Sequence, residues 1–404
     1  MTSVRRAGAL AAPARSRVLD PARHAAILWP RMPSPQAEPH AAPRLDHLDG
    51  LRGLAALYVV LFHAGVCFLE QPLPTWARGI SRLLAFGHEA VAVFIVLSGY
   101  CLMLPATRDG HLKHGTGGYF FRRARRILPP YYAALGLSLA LIALVPALRS
   151  QATTNTIWDD THPAFSTGAI GSHLLLVHNF FPQWVFRING PLWSVATEWQ
   201  IYFFLPFVLL PLWRRRGPLT TLVVAFAIGY LPLVVAPAVA RAALPWYLGL
   251  FALGMVAAGI GFAPRPLERG LRALPWGWIT VVLVLICAIG GLGLARLWFQ
   301  WKPVTDVLVG MTTAALLVHC GRDAGTPVAR LLSSPPVVRL GHFSYSLYLT
   351  HLPVVALAYF LVRPLPLGPV AHVLVLLPLA TAASLAVAYA FHLAIERRFM
   401  PPRR

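Results

Sequence analysis

The chain has 404 residues, 57% of them hydrophobic and only 12% charged, where a soluble domain carries about a quarter charged residues. That balance excludes an ordinary soluble core. The formal net charge of +21 does not mark a nucleic-acid binder, because the basic residues sit between apolar runs and not on a polar face with interleaved aromatics.

Residues 1–43 are rich in Ala, Pro and Arg without helical periodicity, which predicts a disordered cytosolic tail ahead of a membrane domain over 44–404. A hydrocarbon layer of ~30 Å needs about 20 helical residues. Ten apolar runs meet that length, at 51–69, 84–105, 127–148, 192–213, 218–239, 243–262, 275–295, 303–320, 341–362 and 370–395. The expected fold is therefore all-α and integral to the membrane, with about ten transmembrane helices. Starting the chain inside puts 26 of the 35 Lys and Arg on the cytosolic side and eight outside, so both termini are expected on the cytosolic side.

The long external connection, 149–191, carries Trp158, Asp159, Asp160, His162, Trp184 and Asn189, which suit a sugar-facing surface. Its stretch 170–181 is too short to span and reads as a re-entrant piece. No internal repeat and no second soluble domain are expected. The four cysteines lie in or beside apolar runs with no CxxC pair, so they read as small buried hydrophobes and no metal site is expected.

Ionisable groups inside a span are costly and default to function. Arg52 and His63 lie eleven residues apart in the first span, which at about 100° per residue places them within about 20° on one face and about 16 Å apart, with Asp49 on the same side. Glu198 stands well inside the fourth run, at the depth expected for His63, so the two are expected to meet. A neutral imidazole is suited to take a proton from a hydroxyl, and a carboxylate to orient it. The run Arg122, Arg123, Arg125 and Arg126 at the third span is explained by positive-inside anchoring, and equally by guanidinium forks on the phosphates of a cytosolic cofactor.

In chain order, Leu48-Asp-Gly-Leu-Arg through His63, Ala92-Val-Phe-Ile-Val-Leu-Ser-Gly-Tyr100, Tyr119-Phe-Phe-Arg-Arg-Ala-Arg-Arg-Ile-Leu-Pro129, Pro191-Leu-Trp-Ser-Val-Ala-Thr-Glu through Tyr202 and Gly341-His-Phe-Ser-Tyr-Ser-Leu-Tyr-Leu-Thr-His-Leu-Pro353 resemble the acyltransferase-3 family. These are bacterial membrane O-acyltransferases of surface polysaccharides, lipopolysaccharide, nodulation oligosaccharides and macrolides. The resemblance implies acetyl-CoA or another acyl-CoA as donor substrate with no bound cofactor, His63 as the catalytic residue with Arg52 beside it, and Arg122 to Arg126 at the donor site. The family commonly has an Asp before a Phe-Phe pair where this chain has Ala92 and Phe94-Ile95.

Ser98, Tyr100, Trp193, Tyr202, Ser344, Tyr348 and His351 are expected to line the cavity, the last three sharing a face by helical period. The expected function is O-acyl transfer to a hydroxyl of a carbohydrate or glycoside, and whether His63 is a general base or carries the acyl group stays open. The rival is a proton-coupled transporter or flippase using Arg52, His63 and Glu198 as a relay. A non-catalytic subunit would not need coaligned ionisable groups.

Overall fold

The computed structural model describes residues 45–67, 73–107, 110–112, 114–149, 166–264 and 266–400. The proposed tail, and Trp158, Asp159, Asp160 and His162, lie outside the described residues. Among the described residues every regular element is helical. Eight helices are long and apolar enough to cross a membrane, or nine with one bent pair counted as a span. The chain is a multi-pass membrane protein.

We number the main helices α1 (Asp46–Val66), α2 (Gly87–Met103), α3 (Gly115–Leu144), α4 (Leu192–Phe204), α5 (Leu210–Val235), α6 (Tyr247–Phe262), α7 (Trp276–Ala288), α8 (Lys302–Arg322), α9 (Ser344–Val362) and α10 (Pro369–Phe391). The expected fourth and fifth spans form one long element, because α4 runs through a π turn, Leu205–Leu209, into α5. Gly217 breaks it with φ 85° and ψ −178°, a conformation open to glycine, and Pro218 restarts the helix. The sixth expected span is the bent pair, Pro237–Ala243 and α6, which meet at 45°.

Burial ranks the helices. The most apolar window of α9 is 78% buried, whereas those of α7 and of the α10 segment are 11% and 17% buried, so α9 is central and the other two face outward. The polar side chains of α9 are satisfied within the protein: Ser344 donates to Gly341 O, Thr350 to Ser346 O, and Ser346 to the buried Glu396, as buried polar groups require. The close packing of α2 on α6 rests on small residues. A Cβ on Gly99 would fall 2.0 Å from Phe251 O, and one on Gly254 would fall 2.0 Å from Val96 O, so the two backbones touch where lipid offers no hydrophobic drive.

Candidate functional site

Two chambers lie along the inner faces of α1, α2, α4 and α9. The first, of about 110 Å³, is lined by Arg52, Ser98, Arg123, Arg126, Glu198 and Tyr202, with Ser194, Ser344, Tyr345 and Tyr348 completing its wall. The second, of about 170 Å³, is lined by His63, His88, Trp193 and Lys302, with Phe62, Phe186 and Leu352 among its apolar walls. Val91 and Tyr348 line both. We call them the arginine and histidine chambers.

In the arginine chamber Arg52 Nη1 donates to Asp49 Oδ1 at 2.7 Å, one helical turn back, which fixes the guanidinium in place. The basic run is helical: α3 begins at Gly115, twelve residues before the apolar run that predicted it. Residues three apart share a helix face, so Arg123 and Arg126 turn into the chamber together while Arg122 and Arg125 are exposed. Glu198 Oε1 accepts from Tyr202 at 2.6 Å, and the Tyr202 hydroxyl lies 3.1 Å from Ser98 Oγ. One carboxylate and three guanidiniums thus share a small cavity.

The histidine chamber resolves a tautomer. His63 Nδ1 is 2.8 Å from Val59 O, and a carbonyl only accepts, so the proton sits on Nδ1. His351 Nδ1 is likewise bound to Tyr348 O at 2.8 Å, which leaves His351 Nε2 as a lone pair, 3.1 Å from His63 Nδ1. His63 Nε2 is therefore the basic nitrogen. When it takes a proton, the imidazolium keeps two acceptors on its other side, Val59 O and His351 Nε2. Tyr348, one turn before His351, is held by Ser194 Oγ at 2.6 Å and Pro191 O at 3.1 Å, which makes it a fixed wall between the chambers.

The structure corrects several expectations. His63 and Glu198 do not meet: they line different chambers, and their partners are His351 and Tyr202. The reason is what packs beside each: His351 of α9 closes on His63 at 3.1 Å, and Tyr202, one turn along α4, takes the Glu198 carboxylate at 2.6 Å. Arg122 and Arg125 are not among the residues lining either chamber, and neither is Asp49, which pairs with Arg52. Tyr100 is buried against Phe262 outside both linings. Asn189 is wholly buried and ties its segment to α3 and α9 by donating to Ser138 Oγ and Leu349 O. Trp184 packs over Gly168. The expected re-entrant stretch folds as a short helix, Thr167–Leu174, and a 3-10 turn, His178–Phe180.

Ser98, Tyr202, Ser344 and Tyr348 do line the arginine chamber, Trp193 and Tyr348 the histidine chamber, and His351 supports His63. His88 was not singled out from sequence, and Glu89 and Asp306 read there only as carboxylates near enough to span ends to reach the interface. The signal was present as a His and an acidic Glu89 side by side at the mouth of the second span, and as Asp306 four residues inside the eighth.

A family model described as an acyltransferase domain matches residues 45–391. Acyltransferase MdmB of Streptomyces mycarofaciens is 28% identical over 78% of this chain and 80% of its own length. A protein from the picA locus of Rhizobium radiobacter is 28% identical over 47% of this chain and 93% of its own length. A protein of Staphylococcus aureus (strain COL), named for O-acetyl transfer, is 24% identical over 77% of this chain, which spans about half (51%) of that relative. No solved structure matches.

Proposed function

The chain belongs to the acyltransferase-3 family, and from that premise we propose that this membrane acyltransferase moves an acyl group from cytosolic acyl-CoA to a hydroxyl of a carbohydrate or glycoside at the opposite face of a bacterial inner membrane. In this reading the chain crosses ten times, with both termini cytosolic, the break at Gly217 separating the fourth and fifth spans. The arginine chamber opens to the cytosol and the histidine chamber to the outside. The lipid bilayer is a partner throughout, and the surface glycan or glycoside is the acceptor.

The observation that carries this reading is the pair of chambers sharing Val91 and Tyr348, with guanidiniums on one side and a free imidazole nitrogen on the other. Arg123 and Arg126 match phosphate oxygens bidentately. A cavity of about 110 Å³ is too small for a whole CoA, so it takes the thioester end and the phosphates nearest it, at Arg123 and Arg126, while the adenosine stays at the basic mouth. His63 Nε2 removes the proton of the acceptor hydroxyl as its oxygen attacks the thioester carbonyl. The carbon–sulfur bond breaks, the CoA thiolate leaves towards the arginines, and the proton on His63 passes to that thiolate or to water. The step requires the thioester carbonyl to reach past Tyr348 to the hydroxyl at His63, and holding both reactants there supplies the proximity that makes it effectively unimolecular.

The test is labelled acetyl transfer in inside-out vesicles, where acetyl-CoA reaches the cytosolic face. Transfer of label to a sugar hydroxyl inside the vesicle is expected. Label that requires acetyl-CoA on the other face would sink the reading. The transporter alternative predicts substrate movement without ester formation, and the same vesicles separate the two.

A further inference from the structure

His88 lines the histidine chamber beside His63, yet the transfer step just described does not use it. It is held from behind. Asp306 has no exposed surface; its Oδ2 accepts from Trp246 Nε1 at 2.9 Å and lies 3.2 Å from His88 Nε2, and its Oδ1 lies 3.1 Å from the same nitrogen. Trp246 can only donate, so Asp306 acts as a carboxylate acceptor and His88 Nε2 carries the proton. Tyr247 Oη stands 3.4 Å from the same nitrogen. The neighbouring carboxylate, Glu89, is engaged elsewhere, accepting from Trp298 Nε1 at 2.7 Å. Trp193 lies parallel to the His88 ring, 6.1 Å between centroids and 17° between planes, and this fixes the plane of the imidazole. In the neutral ring this leaves His88 Nδ1 as the acceptor.

Each chamber histidine thus presents one acceptor nitrogen of defined tautomer, fixed by groups behind it. The chamber, about 170 Å³, is smaller than the ~300–1,000 Å³ of sites for drug-sized ligands, so it takes the edge of one ring and not a chain. We propose that His88 binds a second hydroxyl of the acceptor, next to the one that His63 deprotonates, so that the chamber selects vicinal diols of a sugar ring. This inference rests on the sugar-acceptor reading above. A buried carboxylate serving only as helix glue would need no imidazole partner facing a cavity; here Asp306 sets which His88 nitrogen donates and which accepts.

The test uses purified protein in lipid–detergent micelles with labelled acetyl-CoA. The acceptors are the methyl glycosides of glucose, mannose and galactose, each beside monofluoro analogues in which fluorine replaces the hydroxyl next to the acylated one. Fluorine keeps the size but cannot donate, so the unaltered protein is expected to prefer the diol by about tenfold in kcat/KM, the worth of one hydrogen bond. In Asp306→Asn the amide accepts from Trp246 and donates to His88 Nε2, which moves the His88 proton to Nδ1. That variant is expected to bring the diol-to-fluoro ratio within about twofold while KM for acetyl-CoA holds. His88→Phe keeps an aromatic ring without a nitrogen and should lose the preference likewise, which covers an Asp306 variant that does not accumulate. A preference unchanged in both variants would overturn the assignment of His88. Absence of transfer to every glycoside by the unaltered protein would instead overturn the sugar-acceptor reading, and the diol inference with it.

Discussion

Arg123 and Arg126 line the arginine chamber while Arg122 and Arg125 stay exposed, so the four guanidiniums divide their work by helix face. Replacing Arg123 and Arg126 with Gln is expected to raise KM for acetyl-CoA about tenfold or more, since hydrogen bonds to charged groups are worth ~1.5–3 kcal/mol each. The Arg122 and Arg125 pair should shift it less than about threefold. Equal shifts from both pairs would show that the run is only an anchor. His351 is not among the residues lining either chamber, so in this account it acts through His63. Its replacement by Phe removes the acceptor 3.1 Å from His63 Nδ1, and kcat should fall about tenfold with KM for acetyl-CoA unchanged. His351→Gln, whose amide oxygen accepts from Nδ1–H, should recover most of the loss. A KM effect, or no recovery, would make His351 a packing residue. The basic run, Arg52 and His63 were legible in the sequence because each breaks an apolar pattern. The pairing of His63 with His351 was not, because helical period places residues on a face of one helix and is silent about which faces meet.

At the scale of elements, the segment between α3 and α4 carries a pair of stacked imidazoles. The rings of His173 and His178 lie 3.8 Å apart and 9° from parallel, with no exposed surface. Tyr131 ties this segment to α3 by donating to His173 O at 2.8 Å. Burial holds both below the usual value of 6.5, and the His173 ring lowers His178 further. An opened segment therefore binds more protons than the closed one as pH falls below about 6.5, so stability is full above that pH and is lost towards the lowered values. Hydrogen exchange over 166–191, corrected for its intrinsic pH dependence, should speed up between pH 7.5 and 5.5 in the native protein and much less in His178→Phe. An equal change in both would remove the pair as the cause. Apolar run length was enough to locate most helices here, and it missed the start of α3, because arginines with long stems extend a helix beyond its apolar core. It placed a break between the fourth and fifth runs at 214–217, where Gly217 interrupts the helix.

For the whole molecule, the account requires one face for acyl-CoA and the other for the acceptor. A cysteine at Thr116, exposed at the start of α3, should react with an impermeant thiol reagent only in inside-out vesicles, and one at Gln183 only in right-side-out cells. The opposite pattern would invert the bundle. The all-α membrane class was legible because few charges and long apolar runs leave no other stable solution in lipid. Chamber separation was not legible, since it depends on Tyr348 being clamped by Ser194 and Pro191 from another helix. The central claim is that His63 Nε2 accepts the hydroxyl proton at the wall between the chambers. The most direct measurement is single-turnover transfer from labelled acetyl-CoA by purified protein and its His63→Ala variant, with bound donor and product ester followed separately. A general base contributes of order 10²–10⁴ in rate. The account predicts that His63→Ala binds acetyl-CoA as the unaltered protein does and forms ester at least about a hundredfold more slowly; ester formation by His63→Ala at the unaltered rate would contradict it.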